Sequence, residues 1–301
     1  MRSIALAVLV GLLGCSTVDD VRETTASKLQ VSATSYPLAY FAERIGGDRV
    51  GVVFPPPPDI DPADWNPGAE VLAHYQQADL ILLNGAGYEK WTERVSLPTA
   101  TVVDTSSGFD DRYITVEDAV VHSHGPEGEH SHGATAFTTW LDPTLAIEQA
   151  RAIRDAFTRA RPEGEPDFEA GFLALERDLV SLDERLARAV SGKTETALVA
   201  SHPVYQYLAR RYGLSLRAVH FEPGELPGPD GWHDLEHLLE EQEAKWMLWE
   251  GEPLSETAAR LRELGIESVV FDPCGNRPTE GDYLTVMESN AAGLERIFAS
   301  P

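Results

Sequence analysis

The sequence predicts an α/β protein made of two βα, parallel-sheet domains joined by a long rigid helix. Three observations predict it. From Leu29 to Val103 short β-branched or aliphatic runs alternate with helical patterns, and the same alternation resumes from Ala197 to Phe298. Strands spaced by helical stretches are the mark of a parallel sheet covered by helices. Between the two halves, Asp167 to Val190 carries Phe168, Phe172, Leu175, Leu179, Leu182, Leu186 and Val190 at spacings of three and four, one apolar face of an uninterrupted helix that Gly192 stops.

In chain order, Leu29 to Ala33 reads as a strand, Tyr36 to Ile45 as a helix and Val50 to Phe54 as a strand. Ala69 to Gln77 is helical and leads into the strand Ala78 to Leu83, the turn Asn84-Gly85 and the strand Thr101 to Val103. Pro143 to Arg159 is the helix before the long one. Beyond it come a strand at Ala197 to Ala200, a helix at Val204 to Tyr212, and a strand at Leu216 to Phe221. A helix at Trp232 to Gln242 and a strand at Met247 to Trp249 follow, then a helix at Thr257 to Leu264, a strand at Val269 to Phe271 and a closing helix at Tyr283 to Phe298. The expected division is 29–160 for the first α/β domain, 163–192 for the linker helix and 193–301 for the second domain. Ligands of open α/β sheets sit beyond the carboxyl ends of the strands, which singles out the loops starting near Pro55, Ser201 and Asp272.

The amino-terminal end has its own signal. Met1-Arg2-Ser3 precedes a run without charge from Ile4 to Leu13 that is too short to span a bilayer and ends Leu12-Leu13-Gly14-Cys15-Ser16. That junction resembles a bacterial lipobox. It predicts removal of residues 1–14, a lipid on Cys15, a polar tether over 15–28 and a place in the cell envelope, held to the membrane by the lipid alone. An ordinary signal peptide containing a cysteine is the alternative. With Cys15 lipidated, Cys274 is the only thiol and no intramolecular disulfide forms. The formal charge of −25 argues against nucleic acid and against a polybasic membrane contact, and its field favours cations.

One stretch cannot serve a core. His122-Ser-His124-Gly-Pro-Glu-Gly-Glu-His130-Ser-His132-Gly packs four of the nine histidines among glycines, serines and carboxylates. Imidazole is the commonest protein metal ligand near neutral pH, and a flexible His/Glu tract can wrap a borderline cation such as zinc without a preformed cage. The bland alternative is a solvated polar loop. As a metal site, a tract of this kind is weak and unselective.

The run Ala200-Ser-His-Pro-Val-Tyr-Gln-Tyr-Leu-Ala-Arg-Arg-Tyr-Gly-Leu214 resembles the hallmark segment of the zinc-type substrate-binding proteins of metal ABC transporters, the ZnuA-like or cluster A-I family. In order, Asp61-Pro62, Ala78 to Gly87 with Trp91, Trp140-Leu-Asp-Pro143, Phe271-Asp-Pro273, and Tyr283 with Met287 and Asn290 match as well, over nearly the whole body of the chain. The resemblance implies a metal cleft between the two domains, a role in binding and delivery with no enzymatic step, an ABC permease and its ATPase as partners, and a monomer. Zn2+ is the implied cargo, with Mn2+ or another divalent cation as the alternative. The His-rich loop, 122–133, falls where zinc-binding members carry theirs, and His122, His124, His130 and His132 become a low-affinity collector.

Transferred residue by residue, the resemblance assigns metal ligation to His202 and Asp272; a capping or core histidine and an Asp-Pro turn cap are the readings the residues alone leave open. Two family ligands are absent. Asp61-Pro-Ala-Asp-Trp-Asn-Pro67 has Ala63 where the family writes histidine, and Thr138 stands where a second histidine precedes Trp-Leu-Asp-Pro. Alanine cannot coordinate, and a neutral hydroxyl is a poor zinc ligand. Asp64 is the candidate to supply oxygen in compensation, and Cys274 is a further option as a thiolate. His233 and His237 share one helical face, without the Glu of a His-Glu-x-x-His protease; they read as a solvated face. No nucleophile elbow, phosphate-cradling loop or dinucleotide fingerprint is present, so enzyme readings reduce to a remote metallohydrolase. The competing reading is a surface chelator or interaction protein that kept the fold and lost the standard cleft site.

Overall fold

The computed structural model describes residues 27–116, 121–123, 129–131, 135–193 and 195–299. The signal segment, Cys15, His124 and His132 lie outside the described residues.

In the first lobe the strands β1 (Leu29–Ala33), β2 (Val50–Val53), β3 (Leu80–Leu83) and β4 (Val102–Asp104) form a parallel sheet in the order β2-β1-β3-β4. Between and after them run the helices α1 (Tyr36–Gly46), α2 (Ala69–Gln77) and α3 (Pro143–Ala160). A short antiparallel ribbon, β5 (Val121–Ser123) with β6 (Glu129–Ser131), places His122 opposite His130 in the backbone register. The second lobe repeats the plan with β7 (Ala197–Ala200), β8 (Ser215–Ala218), β9 (Trp246–Trp249) and β10 (Glu267–Val270), all parallel, in the order β10-β9-β7-β8. Its helices are α5 (Gln206–Tyr212), α6 (Pro229–Glu241), α7 (Ser255–Glu263) and α8 (Tyr283–Ala299).

Local chemistry sets these boundaries. Pro143 occupies the first turn of α3, where its missing N–H costs nothing, and the Asp142 carboxylate accepts from the Thr144 N–H as its cap. Gly213 ends α5 in the left-handed region at φ 66°. Strands buried on both faces read as unbroken apolar runs, as Leu80-Ile-Leu-Leu83 and Trp246-Met-Leu-Trp249 do.

The spine of the molecule is α4 (Glu165–Val190), whose buried residues are Phe168, Phe172, Leu175, Leu179, Leu182, Leu186 and Val190. These side chains belong to one apolar core that continues from the first lobe into the second, because α4 packs on α1 and α3 in one and on α8 in the other. The approach to α1 is close. A Cβ on Gly171 would fall 2.5 Å from the Ile45 carbonyl oxygen, so only glycine lets the two helices meet there. Among the described residues no helix is long and apolar enough to cross a membrane.

Candidate metal centre

Strand order reverses at β1/β3 in the first lobe and at β7/β9 in the second, and the segments leaving the carboxyl ends of those strands face one another across a cleft of about 610 Å3. Such reversal points are where open parallel sheets leave room for a ligand. Backbone and side-chain bonds tie the two walls. The Trp140 indole N–H donates to the Pro273 carbonyl at 2.7 Å, Tyr283 donates to the Trp140 carbonyl at 3.1 Å, and the Asn276 amide donates to the carbonyls of Pro57 and Ile60 at 2.6 and 2.8 Å.

The second lobe supplies the donors. Just past β7, Ser201 and His202 are fixed by the Ser201 N–H donating to the Leu248 carbonyl and the Phe221 N–H donating to the Ser201 carbonyl. That second bond draws the segment after β8 alongside, so His220 packs edge to face on His202 with ring centroids 5.2 Å apart. His202 is 7 % exposed, and its Nδ1 lies 3.6 Å from Glu222 Oε1 and 3.9 Å from Glu250 Oε1. Both distances are too long for hydrogen bonds. The carboxylates are therefore charge neighbours of the ring. Burial pushes Glu250 up to about 8, with Asp61, Glu222 and Asp272 adding repulsion. Burial also raises Asp272, against the Cys274 N–H that its carboxylate accepts at 2.6 Å. A pocket that discourages its own carboxylates from ionising is one that a divalent cation relieves.

The first lobe supplies shape. Ala63 is buried, and its N–H donates to the Asp61 carboxylate at 2.8 Å, which makes Asp61 the organiser of the turn as well as a cleft-lining group. Asp61 is exposed along the cleft, and desolvation by the protein around it raises its carboxyl above the usual carboxylate range. Thr138 is buried, with its hydroxyl committed to the Val204 carbonyl. Tyr88, Phe137 and Trp140 form an aromatic wall in edge-to-face contact.

Asp272, after β10, lines the cleft, and His202, after β7, lies against the cleft-lining Glu222 and Glu250; β9, whose exit carries Glu250, runs between the two strands. Asp64 pairs with Lys90, Oδ1 to Nζ 3.3 Å, and is not among the residues lining the cleft. Cys274 is buried at φ 57°, and burial drives its thiol far above the usual range, which disfavours a thiolate. His122 and His130 are Cα partners in the backbone register of the β5–β6 ribbon, while His233 and His237 lie on the exposed face of α6. The sequence alone does not single out Glu222 or Glu250, and it leaves His220, at a strand end, able to approach the cleft with nothing in the pattern requiring it. The signal for Glu250 was its place one residue beyond a strand end, the same rule that drew attention to His202 and Asp272. Among the described residues no three imidazole, thiol or carboxylate groups are arranged to hold a metal ion by themselves.

Two βα lobes on one spine helix, closing on an imidazole and carboxylates at their strand ends, define a two-lobed cleft-binding protein. Residues 31–297 match the family model described as zinc-uptake complex component A, periplasmic, and the chain belongs to that ZnuA family. It is 26 % identical to the zinc-binding lipoprotein AdcA of Streptococcus pneumoniae R6, over 98 % of this chain and 60 % of that protein. With the high-affinity zinc uptake system protein ZnuA of Bacillus subtilis 168 it shares 27 % identity, over 97 % of this chain and 94 % of that one. The chain therefore spans about 60 % of the length of the first curated relatives it matches. The fold is that of the Zn(II)-bound ZnuA-like domain of Streptococcus pneumoniae AdcA, with a TM-score of 0.76 at 22 % identity over 91 % of this chain and all of that domain.

Proposed function

We propose that this chain is an extracytoplasmic binding protein that takes up a divalent cation, zinc before others, in the cleft around His202 and delivers it to an ABC permease driven by its ATPase. One observation carries the reading: a buried imidazole at a strand end faces Glu222 and Glu250, with Asp272 on the same cleft wall, where burial and mutual repulsion favour an incoming cation over bare carboxylates. Membership of the zinc-uptake family supports the choice of cargo, as do the names of relatives that bind zinc. In this reading His202 and Asp272 are ligands, Asp64 acts through its pairing with Lys90, and the tract His122, His124, His130 and His132 collects ions at low affinity. The chain works as a monomer, tethered to the envelope by a lipid on Cys15, with 29–160 and 193–301 as its two domains and 163–192 as the linker.

A second reading changes only the cargo. Carboxylates outnumber imidazoles around the cleft, and oxygen ligands favour harder ions such as manganese.

Calorimetric titration with zinc and with manganese tests both readings on three proteins: the wild type, a deletion of 122–132, and His202→Ala. The expected result is a one-to-one site that survives the deletion and is lost in His202→Ala. Loss of all binding on deleting the tract would leave the cleft without a role.

A further inference from the structure

We propose that the cleft receives its cation already held by a small nitrogen-donor chelator, a free amino acid with an imidazole or amine side chain, and that the chelator supplies the donors missing at Ala63 and Thr138. This rests on the cleft-binding reading above and names the form of the cargo.

Three observations converge. The first-lobe wall offers no nitrogen donor where one is needed, since Ala63 ends in a methyl group and the Thr138 hydroxyl is spent on the Val204 carbonyl. The second lobe does not make up the number. His202 has a carboxylate neighbour in Glu222 and another in Glu250, yet no three such groups among the described residues are arranged to hold a metal ion. His202 with oxygen donors around it leaves a zinc ion, which favours nitrogen and sulfur ligands in tetrahedral geometry, short of nitrogen donors.

Glu222, Glu250 and Asp272 open onto a chamber. The cleft measures about 610 Å3, inside the range of about 300–1,000 Å3 typical of small-molecule sites. Its walls carry Ile60, Tyr88, Phe137 and Trp140 together with Asp59 and Asp61 on the first-lobe side, and Glu222, Glu250 and Asp272 on the other, a surface suited to a partly apolar ligand with a positive centre.

Charge selects among chelators. With Asp61, Glu222, Glu250 and Asp272 at the cleft, and −25 on the whole chain, an anionic complex such as a metal citrate is repelled. A one-to-one zinc–histidine complex keeps a net positive charge and brings an amine and an imidazole nitrogen, two donors of the type absent from the first lobe.

The test is titration of the full chain, with His122, His124, His130 and His132 replaced by serine to silence the tract, using zinc alone and zinc with equimolar L-histidine. Free histidine competes for zinc, so by mass action it weakens binding of the bare ion. The proposal expects the opposite sign. Apparent affinity should rise at least tenfold, a ternary protein–zinc–histidine mass should appear in native mass spectrometry, and both should vanish in His202→Ala. In Ala63→His/Thr138→His the histidine effect should disappear. If bare zinc binds in a His202-dependent manner and histidine only weakens it, the chelate proposal is wrong and the cleft reading stands. If nothing binds in a His202-dependent manner under either condition, both are wrong.

Discussion

Thr138 reaches from the first lobe to the second, its hydroxyl donating to the Val204 carbonyl at 2.5 Å, two residues beyond His202. The side chain thus works as a clasp between the lobes. The structure predicts that Ala63→His/Thr138→His gains bare-zinc affinity by at least tenfold, about 1.4 kcal/mol, because two imidazoles are then added on the first-lobe side. The gain is offset in part by losing the clasp, since Thr138 is 4 % exposed and a larger ring must displace its neighbours. Competition against a chromophoric zinc chelator reads the affinity. An unchanged or weaker site would show that positions 63 and 138 do not address the cation.

Glu89 predicts a pH dependence independent of the cleft. It is 6 % exposed, accepts from the Asn84 and Gly85 N–H groups at 2.6 and 3.2 Å, and lies 2.5 Å from the Thr34 hydroxyl. Burial pushes its carboxyl from 4.5 to about 7. The folded protein therefore holds this proton more tightly than the unfolded chain. Its contribution is complete below about pH 4.5 and is lost as pH rises through about 7, at no more than about 1.4 kcal/mol per pH unit. Thermal unfolding of Glu89→Gln, in chelator between pH 5 and 8, should fall less steeply than that of the wild type. Parallel curves would mean that Glu89 is already ionised in the fold.

How much of this was legible in the sequence depended on whether the signal was local. All seven apolar positions read along 167–190 are buried in α4, because a 3.6-residue period needs no knowledge of the partner. His202 and Asp272 were found because each follows a recognisable strand in a recognisable segment. Glu222 and Glu250 were not, since each is a single carboxylate among many in an acidic chain. What brings them to His202 is the order β10-β9-β7-β8, which sets the exits of β7 and β9 side by side, and the turn after β8. The strand expected to run from Leu216 to Phe221 ends at Ala218 instead; the Phe221 N–H is engaged by Ser201, off the ladder, and that departure turns His220 and Glu222 toward the cleft.

Cys274 predicts silence. It is 1 % exposed, and burial holds its thiol protonated far above the usual range. A thiol-reactive chromophore at pH 8 should label the native chain at least a hundredfold more slowly than the unfolded one, and Cys274→Ala should keep its zinc site. Abolished binding in that variant, with the fold intact by circular dichroism, would instead make the sulfur a ligand.

Asn276 separates organisation of the cleft from stability of the fold. Both amide hydrogens are used, one on the Pro57 carbonyl and one on the Ile60 carbonyl, so a second-lobe residue pins the first-lobe loop that carries Asp61. Asn276→Ala removes two hydrogen bonds near the surface, each contributing about 0.5–1.5 kcal/mol, and leaves the apolar core untouched. The unfolding midpoint should move by only a few degrees. Cation affinity should fall more, by roughly tenfold, because the freed loop must be ordered again on binding. Asn276→Asp keeps the size but removes the donors, so it should free the loop as the alanine variant does. If affinity falls only in proportion to stability, Asn276 is a structural strut and the loop from Pro57 to Ile60 is held in place without it.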